Sequence, residues 1–176
     1  MEKIFYTDDN LPSQETLRAI LRSEFGIEED IVRGKNGKPY LKSEQIFFSL
    51  SHTKNRLFIA FSNENVGLDA EHVDRKTNFM PILKKFSAEE RNCSASTQDF
   101  LRLWTKKESV IKYLGGSIAA DLKKIVCKNE KAYYNGKELS HVFTELSFDG
   151  YILSIFGKRF QNVIPTIYQF TKENTL

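Results

Sequence analysis

The sequence predicts an α+β fold made of two similar halves, and three observations carry that prediction. The order helix, strand pair turning at Asn-Gly, second strand pair ending in an apolar strand occurs twice along the chain. The apolar strand Leu57 to Ser62 (Leu-Phe-Ile-Ala-Phe-Ser) is echoed by Tyr151 to Phe156 (Tyr-Ile-Leu-Ser-Ile-Phe). With 176 residues, 40% hydrophobic and 28% charged, the chain suits a globular protein with one good core or two small halves sharing one. Two such halves, 1–64 and 65–176, would pack as an intramolecular pseudodimer, with the cleft between them as the natural ligand site.

The elements follow from local chemistry. Lys3 to Tyr6 reads as a short strand, and Thr7 to Pro12, with Asp8, Asp9 and Asn10, as a turn. Ser13 is a candidate N-cap for a helix to Phe25, with Leu17, Ile20, Leu21 and Phe25 on one stripe and Gly26 as its stop. Residues 30–41 hold the basic turn Arg33-Gly34-Lys35-Asn36-Gly37-Lys38-Pro39, where Asn36-Gly37 suits a hairpin. Residues 46–53 and 57–61 flank a turn at Lys54-Asn55-Arg56 and form a second hairpin. Val66 to Val73 is a strand, followed by a polar loop from Asp74 to Asn78. Ser87 with Glu90 has capping-box form and opens a short helix, and Asn92 to Gln98 reads as a polar loop. Ile125 to Tyr134 then leads to a turn at Asn135-Gly136, and a final strand pair from His141 to Phe156 turns at Asp149-Gly150.

The most informative stretch is the helix around Leu103 to Gly116. Phe100, Leu103, Trp104, Ile111 and Leu114 fall at helical spacing, and two glycines end it. Lys107 and Glu108 occupy the turn where the period calls for apolar side chains, and Lys112 shares a face with Glu108. An inward carboxylate is costly unless it is satisfied. The simplest account is an i,i+4 ion pair between Glu108 and Lys112 at the edge of the core.

Strand alternation over Val66 to Glu71 sends Val66, Leu68 and Ala70 to one face and Gly67, Asp69 and Glu71 to the other. Side chains two apart on a strand lie roughly 6–7 Å apart. At an effective dielectric of about 20 the two carboxylates repel by roughly 2.5 kcal/mol. A solvated face resolves this, and so does a divalent cation. Oxygen ligands without clustered His or Cys favour magnesium over zinc. A second group of residues is basic: Ser51 and His52 at a strand end, Lys35 and Lys38 in the preceding turn, Arg18 and Arg22 on one helix face. Such groups hold phosphates, or lie on solvated faces.

Composition narrows the classes further. A net charge of +3 tolerates an anionic ligand or an acidic partner without demanding nucleic acid. Cys93 and Cys127 show no metal or disulfide spacing, and neither a secretory signal nor a membrane-length apolar run is visible. A cytoplasmic protein is the expectation.

Ser51-His52-Thr53, Val66 to Glu71, Phe86-Ser87-Ala88-Glu89-Glu90 and Leu103 to Lys112 come in an order and spacing that resemble the signature blocks of the 4′-phosphopantetheinyl transferases. The likeness is to the larger, pseudodimeric class, and Gly37 to Leu41 resembles a further block. The resemblance implies that Asp69, Glu71 and Glu108 hold Mg²⁺ on the pyrophosphate of coenzyme A. It implies that Lys38, Ser51 and His52, with Arg18 and Arg22, contact the phosphates and nucleotide. Lys112 would neutralise charge on the pyrophosphate, and Glu108 would help deprotonate the acceptor serine of an acidic apo carrier protein. The chain would act as a monomer, without nucleic acid or membrane. Three features depart from the family pattern: a short first half, an arginine-rich segment reduced to Arg18 and Arg22, and Gly115-Gly116-Ser117 where Gly-x-Gly is common. The same residues also admit a non-catalytic coenzyme A or nucleotide-binding module, or another Mg²⁺-dependent phosphotransferase such as a nuclease. Phe79-Met80-Pro81-Ile82, beside Lys84 and Lys85, is either a carrier-docking surface or simple core packing.

Overall fold

A computed structural model describes residues 2–8 and 12–168. The predicted turn at Thr7 to Pro12 lies partly outside them, at 9–11. The first strand, β1, spans Lys3–Thr7, and helix α1 spans Ser13–Phe25. Pro12, not Ser13, holds the cap position of α1. Its fixed φ and its carbonyl, which accepts from the amides of Glu15 and Thr16, set the helix entry. Gly26 closes α1 in the left-handed conformation. The hairpin β2 (Ile31–Arg33) and β3 (Pro39–Leu41) follows, then β4 (Phe47–Thr53), β5 (Arg56–Ser62) and β6 (Gly67–His72).

Beyond the loop at Asp74 to Asn78, the apolar run Phe79 to Ile82 leads into a single helical turn, α2, at Met80–Leu83. Ser87 and Glu90 form both bonds of the capping box that starts α3, Ala88–Asn92. The principal helix, α4, spans Thr97–Leu114 and begins inside the segment read as a loop, because Ser96 and Asp99 form a second capping box. A short helix α5 (Ile118–Asp121) and a 3₁₀ turn (Leu122–Lys124) lead to β7 (Ile125–Lys128) and β8 (Lys131–Tyr134). The long strand β9 (Lys137–Phe148), β10 (Tyr151–Gly157) and β11 (Thr166–Ile167) complete the chain. The turns at Asn135-Gly136 and Asp149-Gly150 carry positive φ at both residues, as two-residue hairpins require.

Among the described residues the strands form a sheet of order β11-β1-β5-β4, a second of order β6-β10-β9-β8-β7, and the separate β2-β3 pair. The buried side chains fall into three cores. Leu57, Ile59 and Phe61 of β5 pack under α1 with Leu17, Ile20 and Leu21. Ile152 and Phe156 of β10 pack under α4 with Phe100, Trp104 and Ile111. Between the sheets, Phe58 and Ala60 of β5 meet Leu68 and Ala70 of β6 and Tyr151, Leu153 and Ile155 of β10. The layers are therefore α1, sheet, sheet, α4, and the echoed strands β5 and β10 each divide their residues between a central and an outer core. Each large side chain so buried contributes roughly 1.5–3 kcal/mol. The α4 stripe also differs from the expected one: Leu101 and Val110 are buried, whereas Leu114 at its end is 39% exposed. The chain's C-terminal segment returns to the first sheet, where β11 pairs parallel to β1. No helix among the described residues is long and apolar enough to cross a membrane. Both cysteines are free thiols, Cys93 exposed and Cys127 buried.

Candidate active site

The site is built where α4 lies on β6, and Gly67 sets how closely they approach. A Cβ added at Gly67 would stand 1.9 Å from the Ser109 carbonyl oxygen and 2.5 Å from the Tyr113 nitrogen. Both are backbone atoms of α4 and cannot swing aside. Gly67→Ala is therefore expected to destabilise the fold by about 3 kcal/mol or more, measured by urea unfolding. One turn earlier on α4, the Thr105 and Ser154 hydroxyls bond at 2.8 Å and hold the helix to β10.

With the helix so placed, Asp69 and Glu71 point away from the central core, as alternation predicted, and share their face with Glu108 and Lys112. Lys112 Nζ lies 2.7 Å from Asp69 Oδ1. The expected intrahelical partner, Glu108, is not the group it reaches. Lys112 crosses to β6 because a carboxylate buried there has greater need of a cation than one beside it on the helix. Asp69 Oδ1 also accepts from the Ser51 hydroxyl at 2.8 Å. Asp69 Oδ2, by contrast, is buried without a partner. Burial pushes the Glu108 carboxyl up to about 7, and the charge of Asp69 adds to the rise, against Lys112 and Arg75. Glu71 is engaged by Arg75 on one oxygen and by Thr53 Oγ1 at 3.3 Å on the other.

Among the described residues no three His, Cys, Asp or Glu side chains are gathered closely enough to hold a metal as they stand. The donor chemistry nonetheless fits a hard cation. Asp69 has a free buried oxygen, Glu108 is held in a place that disfavours its own charge, and Glu71 has only to exchange Arg75 to join them.

The other sequence-predicted residues divide. His52 is exposed, with Nδ1 3.5 Å from Ser13 Oγ. It lines a cleft of about 440 Å³ with Lys54, Glu71 and Arg75, and a smaller one of about 260 Å³ with Ser13, Arg33 and Pro39. The two clefts thus meet at His52. Ser51 is buried, and its hydroxyl joins β4 to β6, accepting from the Ala70 amide at 3.1 Å while donating to Asp69. The Ser49 hydroxyl does the same one pair earlier, accepting from the Leu68 amide at 2.9 Å. Lys38 donates to Asn65 Oδ1 at 2.7 Å, the Val66 carbonyl at 3.0 Å and the Tyr113 carbonyl at 3.3 Å. Arg18 and Arg22 are exposed on α1, beside Asp30 at 3.9 Å and Glu28 at 3.2 Å, and line neither cleft.

Sequence reasoning missed three participants. Arg75, which holds Glu71 together with Thr53, comes from a loop whose side-chain directions no periodicity gives. Thr53 ends β4 two residues after Ser51, so strand alternation puts it on the face of Ser51. Glu90 is legible as a capping residue and as part of a signature block, but not as the partner of a buried cation. Its other oxygen lies 2.9 Å from Lys107 Nζ, and both side chains are buried. Lys107 also donates to the Ile125 carbonyl and sits 4.7 Å over the Phe86 ring. Lys107 is therefore a core residue that fixes the rotation of α4, while its neighbour Glu108 faces the site.

Comparison with known proteins bears on this face directly. The sequence model of the 4′-phosphopantetheinyl transferase superfamily matches residues 65–155. The 4′-phosphopantetheinyl transferase AcpT of Escherichia coli strain K12 is 29% identical over 133 residues, 70% of this chain and 66% of that protein. The 4′-phosphopantetheinyl transferase gsp of Aneurinibacillus migulanus is 28% identical over 137 residues, 70% of this chain and 56% of that protein. The L-aminoadipate-semialdehyde dehydrogenase-phosphopantetheinyl transferase of Candida glabrata is 31% identical over 108 residues, 53% and 42% of the two chains. The chain thus spans between 42% and 66% of the length of these curated relatives. The matched stretch is more than half of the chain and carries Asp69, Glu71, Glu108 and Lys112, so the chain belongs to the 4′-phosphopantetheinyl transferase superfamily.

Proposed function

We propose that this protein transfers the 4′-phosphopantetheine group of coenzyme A to a serine of an apo carrier protein. The observation that carries the reading is the face on which Asp69 keeps an unpartnered buried oxygen, burial and Asp69 push the Glu108 carboxyl up to about 7 and Lys112 reaches across to β6. In the reaction the serine oxygen forms a bond to the phosphorus bearing pantetheine. The bond from that phosphorus to the bridging oxygen breaks, and adenosine 3′,5′-bisphosphate leaves. Asp69, Glu71 and Glu108 are the residues that would hold Mg²⁺, which when bound supplies charge neutralisation at the pyrophosphate. Lys112 adds a positive charge on the same face, and Glu108 takes the serine proton. His52, standing where two clefts meet, is placed to receive the nucleotide phosphates, with Ser51 beneath it shaping the β4 edge.

The halves 1–64 and 65–176 divide the work in this reading, the first contributing nucleotide contacts and the second the carboxylates, in a pseudodimer that needs no second chain. The protein would act as a cytoplasmic monomer on an acidic carrier. Arg18 and Arg22, paired with surface carboxylates, are left at most a long-range attraction for the nucleotide. Binding calorimetry tests the ligand assignment. Coenzyme A is expected to bind in the presence of Mg²⁺ and to lose most of that affinity with a chelator or with Asp69→Ala. Unchanged binding in Asp69→Ala would remove Asp69 from the site.

The docking surface for the carrier is placed at α2. Met80 is 53% exposed and Lys84 and Lys85 face solvent, while Phe79 stacks on Phe100 at 4.7 Å and anchors the turn. Reversing both charges, Lys84→Glu with Lys85→Glu, is expected to raise KM for the carrier about tenfold. Affinity for coenzyme A should stay the same. Unaltered carrier kinetics would move the docking surface elsewhere.

A further inference from the structure

The last turn of α4 is closed from outside the helix. Gly115 takes the left-handed conformation, and the amides of Gly115 and Gly116 return to the carbonyls of Lys112 and Ile111. The Tyr113 carbonyl has no partner of that kind. It accepts instead from Asn65 Nδ2 at 2.8 Å and from Lys38 Nζ at 3.3 Å. Two residues further on, the Gly115 carbonyl accepts from Asn36 Nδ2 at 2.8 Å. Asn36 and Lys38 both belong to the β2–β3 hairpin, and Asn65 to the segment between β5 and β6.

Lys38 is the centre of this arrangement. Its remaining two bonds go to Asn65 Oδ1 and the Val66 carbonyl, so all three of its protons meet neutral acceptors. The bond to Oδ1 also fixes which way the Asn65 amide faces, and so directs Nδ2 at Tyr113. A cation at a helix C-terminus is favoured by the helix dipole. Tyr113 is the residue next to Lys112, and Val66 immediately precedes β6, the strand that carries Asp69.

We propose that Lys38 is a positioning residue rather than a phosphate ligand. Its ammonium, with Asn65 and Asn36, locks the C-terminal turn of α4 to the start of β6 and so holds Lys112 on Asp69. The functional part of this inference rests on the proposed transfer reaction, but the lock itself does not.

Hydrogen exchange on the protein without ligands separates the two. Lys38→Met keeps the length of the side chain and removes its charge and bonds. The Gly115 and Gly116 amides are expected to exchange roughly tenfold or more faster in this variant, as the loss of charge-assisted bonds implies. Lys35→Met, on the same turn, should leave them unchanged. Should Lys38→Met fail to fold, Asn36→Ala removes only the bond to Gly115 and is expected to raise exchange at the same amides by a smaller factor. Unaltered exchange in whichever variant is folded overturns the lock. In the transfer assay, Lys38→Met should lower kcat about ten- to a hundredfold by displacing Lys112. Its coenzyme A affinity should stay within twofold, and it should cost nothing further once Lys112→Met is present. Loss of coenzyme A affinity with kcat intact would restore Lys38 to the phosphates and overturn the proposal. A wild-type protein without transfer activity would defeat the functional reading while exchange still decided the lock.

Discussion

Glu108→Gln is expected to abolish transfer while making the metal-free protein more stable at pH 8. Removing a group that takes a proton in the reaction costs on the order of 10²–10⁴-fold in rate. Gln keeps the shape of the side chain and loses both the negative charge for a cation and the base for the serine. The stability effect follows from the sign of the displaced ionisation. Burial and Asp69 hold the folded carboxyl at about 7, against 4.5 when free. Between those values the native state binds more protons than the unfolded chain, so native stability falls as pH rises. Above pH 7 the ionised Glu108 therefore costs the fold about 3 kcal/mol, at 1.36 kcal/mol per pH unit of difference. The Gln variant does not bear that cost. Its advantage should be largest at pH 8, shrink through pH 6 and vanish below pH 4, as urea unfolding at each pH would record. A variant no more stable than wild type at pH 8 would mean that Glu108 is not disfavoured in its charged form.

Lys107→Met is expected to be among the most destabilising single changes in the chain. The variant leaves the Glu90 carboxylate buried without its cation, and breaking one side of a buried pair costs about 3–5 kcal/mol. For a chain of this size that corresponds to a fall in Tm of roughly 6–20 °C. The second change Glu90→Gln should restore part of the loss, since Gln can still accept the Cys127 amide hydrogen bond, now 2.9 Å from Glu90 Oε1. Lys107→Met with a Tm within 2 °C of wild type would show that the pair does not hold α4 in place. Because Glu108 follows Lys107 directly, any variant that survives should also show weakened metal-dependent binding of coenzyme A.

These two residues also show what the sequence made legible. Periodicity placed Lys107 and Glu108 where apolar side chains belonged, and both anomalies are real. Their partners were not readable. The i,i+4 rule paired Lys112 with Glu108, but tertiary packing brought Asp69 within its reach, and a buried carboxylate is the stronger claimant. Glu90 pairs with Lys107 only because α3 folds against β7, which no local pattern specifies. Strand alternation, in contrast, depends on geometry internal to β6, and it correctly set Asp69 and Glu71 on one face. Turn chemistry was equally dependable at Asn135-Gly136 and Asp149-Gly150, where backbone conformation alone selects the residues. The basic turn at Arg33 to Pro39 shows the opposite case. Its composition suggested phosphate contacts, yet Lys38 is directed at neutral backbone and amide oxygens that come from distant parts of the chain. Ser96 reads as a loop residue in the sequence because Asp at the third helical position is a less familiar capping partner than Glu.

The central claim is that the face formed by Asp69, Glu108 and Lys112 transfers phosphopantetheine to a carrier serine. Intact-mass spectrometry tests it most directly. The protein would be incubated with coenzyme A, Mg²⁺ and a panel of apo carrier proteins drawn from fatty-acid, polyketide and peptide-synthetase systems. The account predicts that at least one carrier gains the mass of a single phosphopantetheine group. That gain should disappear with chelator, with Glu108→Gln, and when the acceptor serine is replaced by alanine. No mass gain on any carrier, from protein that binds coenzyme A normally, would contradict the claim and leave a binding module in its place.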